Sequence, residues 1–114
     1  MHELSIASAI LDAVRKEMAS RPGSHANKVG VRVGALSGVV PDALSFGFEA
    51  LVRGTDLEPL ALDIESMPRR QRCPDCDVVF VVKDESAACP RCARGDTVMV
   101  GGDELDVMYL EVEE

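Results

Sequence analysis

Four cysteines carry the most specific chemistry of this 114-residue chain. They stand as Cys73-Pro74-Asp75-Cys76 and Cys89-Pro90-Arg91-Cys92, two Cys-x-x-Cys pairs separated by twelve residues. A tight turn within each pair can aim two thiolates at one point. Two such knuckles facing each other supply the tetrahedral sulfur shell that Zn²⁺ prefers. Val78-Val79-Phe80-Val81-Val82 reads as the strand leaving the first knuckle and Asp96 to Val100 as the strand leaving the second, which is a zinc ribbon. With thiolate at all four positions no place is left for an activating water, so this zinc is expected to be structural. A redox dithiol needs a single Cys-x-x-Cys after a strand of a βαβ unit, and the second pair is surplus to it. A disulfide framework belongs to secreted chains. The N-terminus carries Glu3 and Asp12 and lacks the basic, apolar, cleavable pattern of a secretory signal, so a cytoplasmic location is expected.

A second constellation opens the chain as Met1-His2-Glu3. The α-amine of Met1, the backbone nitrogen of His2 and its imidazole can chelate one ion in adjoining rings. The Glu3 carboxylate or backbone nitrogen can fill a fourth position. Nitrogen-rich, square-planar or tetragonal donors suit Ni²⁺ and Cu²⁺. Amine and imidazole must shed protons to bind, so affinity falls with pH. The bland reading of the same residues is a frayed terminus.

Net charge is −8, from 20 acidic and 12 basic residues. Nucleic-acid binding needs a basic face, and the concentrated stretch is Arg69, Arg70 and Arg72, with Arg91 and Arg94 nearby. A solvated rim that neutralises a zinc–tetrathiolate dianion accounts for these arginines as well as a nucleic-acid surface does. Hydrophobic content of 46% with only 4% aromatic makes the expected core aliphatic. No apolar run approaches the roughly 20 residues that span a bilayer. No nucleophile–base pair or phosphate-binding glycine loop points to an enzyme.

The elements that must position these groups follow from periodicity. Ile6, Ala7, Ile10, Leu11, Val14 and Met18 recur at helical spacing until Arg21-Pro22-Gly23 stops the helix, and Gly23 to Asn27 read as a polar loop around an incidental His25. Val29, Val31 and Val33 alternate as a strand. Pro41 suits the first turn of a second helix with an apolar stripe of Leu44, Phe48 and Leu51, ending near Gly54. Leu60, Leu62 and Ile64 form a second strand, Met67-Pro68 ends it, and Glu104 to Val112 a third, followed by a solvated acidic end. The predicted fold is α+β: a small mixed three-stranded sheet packed with two helices, plus an inserted zinc-ribbon subdomain. Residues 1–68 with 102–114 form the first unit and residues 69–101 the ribbon. The strand–helix–strand unit predicts a parallel pair.

Taken together, Met1-His2-Glu3-Leu4-Ser5-Ile6-Ala7, the stretch Gly34-Ala35-Leu36-Ser37-Gly38-Val39-Val40-Pro41-Asp42-Ala43-Leu44 and the two Cys-Pro-x-Cys knuckles resemble the HypA/HybF family in matching order along the chain. That resemblance implies a nickel metallochaperone that delivers Ni²⁺ to [NiFe] hydrogenase and in some cases urease. It places the nickel ligand on His2, with the Met1 amine and Glu3 as neighbours, and one structural Zn²⁺ on Cys73, Cys76, Cys89 and Cys92. Some members add a carboxylate near the second helix. Here position 40 is valine and Asp42 is the nearest candidate, equally explained as a charge favoured by the helix dipole. Other members recruit a histidine from the zinc loop, and none lies between Cys73 and Cys92. The implied partners are a HypB-type nickel GTPase and the hydrogenase large-subunit precursor, with no nucleic acid and no membrane, for a monomer or weak homodimer. The alternative is a zinc-ribbon module binding protein or nucleic acid, without a nickel role.

Overall fold

The computed structural model describes residues 2–83 and 86–114. In chain order the elements are α1 (Glu3–Ala19), β1 (His25–Gly34), α2 (Pro41–Val52), β2 (Ala61–Met67), β3 (Arg70–Arg72), β4 (Val79–Val81), β5 (Val98–Gly101) and β6 (Leu105–Glu113). Two three-stranded sheets result, one ordered β2-β1-β6 and one β4-β3-β5. In the first, β1 runs parallel to β2 and antiparallel to β6. The parallel pair and the two helices are those the periodicity predicts.

The apolar stripes explain the layer. Ile6, Ala7, Ile10, Leu11 and Val14 of α1 meet Leu44, Phe48 and Val52 of α2, and both helices cover Val29, Val31 and Val33 of β1. Pro41 occupies the first turn of α2, where its missing N–H costs nothing. Gly54 follows the helix at φ 78°, the left-handed conformation that ends helices most cheaply with glycine. On the opposite face, the Tyr109 ring lies over Gly30, where any β-carbon would overlap it. Its hydroxyl donates to Asp63, which pushes the phenol up to about 12.

Three expectations are corrected. The segment Gly23 to Asn27 is not all loop, because β1 begins at His25 and pairs His25 with Glu113 and Ala26 with Val112. The same pairing carries the third strand one residue past Val112, to Glu113, while Glu111, Glu113 and Glu114 stay exposed as the solvated reading expects. Periodicity also misses β3, a three-residue strand between β4 and β5. Its Arg-Gln-Arg pattern is polar, and the buried residue is Gln71, whose amide donates to the Thr97 carbonyl and hydroxyl. Neighbouring strands, and not hydrophobicity, define it.

Candidate metal centres

The two knuckles are built alike. The Cys73 N–H donates to the Val78 carbonyl and the Asp77 N–H to the Cys73 carbonyl; the Cys89 N–H donates to Arg94 and the Ala93 N–H to Cys89. Inside each turn an N–H also points at sulfur, Cys76 to Cys73 Sγ at 3.5 Å and Arg91 to Cys89 Sγ at 3.4 Å. Closing these turns places Asp77 at φ 56° and Ala93 at φ 63°. Sequence reading misses both positions, although their common place just after each second cysteine is a usable signal. An alanine there bears about 1 kcal/mol of steric cost that glycine avoids. Ala93→Gly is therefore expected to raise the midpoint of thermal unfolding and slow zinc loss to a chelator.

The four sulfur atoms lie within 4.8 Å of one another, and none is in a disulfide. Cys73 and Cys92, from different knuckles, stand 3.6 Å apart at sulfur. Zn–S bonds of about 2.3 Å require tetrahedral sulfurs about 3.8 Å apart, so the cluster fits such an ion. Cys73 and Cys89 are buried, whereas Cys92 is exposed. The thiol of Cys76 is pushed up to about 12, first by its hydrogen bond with Cys92 and then by burial and its other cysteine neighbours. Burial also raises Cys89, but N–H groups of Cys92 and Arg91 outweigh it and bring that thiol to about 7. The cluster thus favours one thiolate and resists further ones unless a cation neutralises them.

Three of the nearby arginines, Arg70, Arg72 and Arg94, are engaged by carboxylates. Arg94 holds Asp75 of the first knuckle at 2.7 Å and Asp96 at 2.5 Å, tying the two halves together. Arg72 pairs with Asp77 at 3.2 Å, and Arg70 with Glu104 at 2.7 Å.

At the other end, His2 is exposed and caps α1: its Nδ1 accepts the Leu4 N–H at 3.3 Å. Glu3 reaches across to α2, accepting the Val40 N–H at 3.3 Å, and this bond holds its carboxyl below the usual range. Asp42 sits in the first turn of α2. Glu3 thereby joins the starts of the two helices. Among the described residues, however, the cysteines are the only group of three or more potential ligands held together. Met1 lies outside the described residues.

A two-helix α+β layer carrying a four-thiol ribbon defines a small metal-handling protein. Residues 1–112 match the family described as hydrogenase/urease nickel incorporation, metallochaperone, HypA. The chain belongs to that family, which is one of metallochaperones and not of enzymes. The hydrogenase maturation factor HypA of Geobacter metallireducens is 42% identical over 113 residues, covering 99% of this chain and 100% of that protein. The factor of the same name from Roseiflexus is 38% identical, covering 100% of this chain and 94% of its own. The solution structure of the Ni metallochaperone HypA from Helicobacter pylori shares the fold, with a TM-score of 0.63 at 22% identity over 97% of each chain. A second HypA solution structure gives 0.69 at 22% identity, covering 97% of this chain and 95% of its own.

Proposed function

We propose that this chain binds one Ni²⁺ at its N-terminus, through the Met1 amine, the His2 backbone and imidazole nitrogens and Glu3, and delivers it to a [NiFe] hydrogenase precursor, or to urease. The observation that carries this reading is His2 itself: an exposed imidazole at the start of α1, beside the Glu3 carboxylate, in a chain of this family. Such a site suits a carrier, because ligands at a chain end detach one at a time. Nickel on Nδ1 has to displace the Leu4 N–H, so loading and helix capping compete for one lone pair. Asp42 serves the α2 dipole in this reading, and a ligand role for it requires movement of its side chain.

The cysteine cluster holds a structural Zn²⁺, which supplies folding free energy to residues 69–101, while residues 1–68 with 102–114 form the nickel-handling unit. No helix among the described residues is long and apolar enough to cross a membrane, and the proposed setting is the cytoplasm. The proposed partners are a HypB-type GTPase and the hydrogenase large-subunit precursor. Nucleic acid is a poor alternative, since Arg70, Arg72 and Arg94 are occupied by Glu104, Asp77, Asp75 and Asp96.

Nickel titration calorimetry on untagged, zinc-loaded protein tests this. One Ni²⁺ per chain is expected, weakening as pH drops from about 7.5 to about 5.5 because amine and imidazole regain protons. His2→Asn keeps a side-chain acceptor for the Leu4 N–H but removes the imidazole. An affinity loss of about a hundredfold is expected; unchanged binding overturns the site.

A further inference from the structure

The four cysteines are not equally reachable from solvent. Cys73 is wholly buried and Cys89 is 2% exposed. Cys92 stands open at the tip of the second knuckle, where Pro90, Arg91 and Ala93 are exposed around it. A buried thiol is inert to a dissolved oxidant, whereas an accessible thiolate is not. Holding a divalent ion keeps Cys92 as thiolate, the nucleophilic form. The Cys73 sulfur lies 3.6 Å from that of Cys92, across the gap between the knuckles. An accessible sulfur with a protected one in reach is the arrangement from which a disulfide forms in two steps.

We propose that Cys92 is a site of reversible oxidation by hydrogen peroxide, and that Cys73 is the thiol that resolves it. The Cys92 thiolate attacks one peroxide oxygen. A sulfur–oxygen bond forms, the oxygen–oxygen bond breaks and hydroxide leaves, so the sulfur is oxidised by two electrons to a sulfenic acid and the peroxide is reduced. The Cys73 thiolate then attacks the Cys92 sulfur. A sulfur–sulfur bond forms, the sulfur–oxygen bond breaks and a second hydroxide leaves. Two thiolates and one peroxide thus become one disulfide and two hydroxides, which take up protons as water. The new bond joins the knuckles and leaves only Cys76 and Cys89 as thiolate donors, too few for a four-sulfur site. Oxidation therefore releases the ion, and β3, β4 and β5 lose the folding free energy it supplies. A small dithiol attacks the disulfide, restores both thiolates and lets zinc return. The proposal rests on the structural-zinc reading of the cluster and is independent of nickel.

The test uses the untagged chain loaded with zinc, its zinc content fixed by metal analysis before any oxidant is added. Hydrogen peroxide then follows, with a chromogenic chelator to report freed zinc and, in a parallel sample, a cyclic 1,3-diketone to trap sulfenic acid. The trap is expected on Cys92 alone. Without the trap, zinc release in step with a Cys73–Cys92 disulfide in the peptide map is expected, and dithiothreitol should restore zinc binding. Cys92→His keeps a donor at this corner and is expected to retain its zinc under the exposure that empties the parent. Should that variant fail to load, the trap and the peptide map of the parent decide alone. Zinc kept by the parent with four reduced thiols, first trapping at another cysteine, or a Cys89–Cys92 disulfide overturns the proposal. A chain that never loads zinc overturns the structural-zinc reading, and the proposal with it, already at the metal analysis.

Discussion

Cys73→Ser is expected to abolish stoichiometric zinc binding and to unfold β3, β4 and β5 while the β2-β1-β6 sheet survives. The second sheet has little else to hold it. Val79, Val81, Val98, Met99 and Val100 are all exposed, so apolar burial there is slight. Zinc in comparable small sites is worth about 10–16 kcal/mol of apparent binding free energy, which becomes folding free energy when no site preforms. Cys73 is completely buried, leaving no room for water to replace its sulfur as ligand. Hydrogen exchange checks this, with protection lost at Arg70–Arg72 and Val79–Val81 and kept at Val29–Val33. Cys92→His, at the exposed corner, retains a nitrogen donor and should keep zinc at reduced affinity. Acid should act like a mild form of Cys73→Ser. Each cysteine must give up its proton to the solvent when metal binds, so zinc affinity falls with falling pH.

The parts legible from sequence are those whose signal is local. Heptad-like spacing in α1, the proline at the start of α2 and the alternation of Val29, Val31 and Val33 each report one element's own burial. The Cys-Pro-x-Cys repeat reports a shared ion. What escaped depends on chain segments far apart. β3 exists because β4 and β5 flank it, and its arginines disguise it as a basic patch; Arg70 is answered by Glu104, thirty-four residues away. The start of β1 at His25 is fixed by Glu113 at the other end of the chain. Gly30 reads as an ordinary alternating position until Tyr109 is found lying over it. No periodicity in a single window carries that information.

The junction between the two sheets illustrates the same point and gives the second large effect. Gly34, at the end of β1, and Gly102, just after β5, touch backbone to backbone. The Gly34 N–H donates to the Glu104 carbonyl at 2.7 Å and the Leu36 N–H to the Gly102 carbonyl at 2.6 Å. A β-carbon on Gly34 would stand 2.2 Å from the Gly102 carbonyl oxygen, and a backbone atom cannot turn away as a side chain can. Gly34→Ala is therefore expected to destabilise the protein by about 3 kcal/mol, lowering its thermal midpoint by roughly 10 °C or more. Gly95→Ala, with nothing within 4 Å of the added atom, should shift it by no more than about 0.5 kcal/mol.

Glu104 closes the same junction, accepting the Gly102 N–H and pairing with Arg70, both at 2.7 Å. Backbone N–H groups of Glu104 and Gly102, with Arg70 beyond them, hold its carboxyl below the usual 4.5. The sign follows from the depressed value: its contribution is complete above about 4.5 and is lost as pH falls through the folded-state value. Glu104→Gln should flatten that acid limb, since its stability no longer depends on this proton. A Gly34→Ala variant as stable as the parent would mean that the two sheets do not share this contact in solution. A destabilised variant with unchanged β2-β1-β6 protection would mean that the contact holds the ribbon onto the first sheet without holding that sheet together.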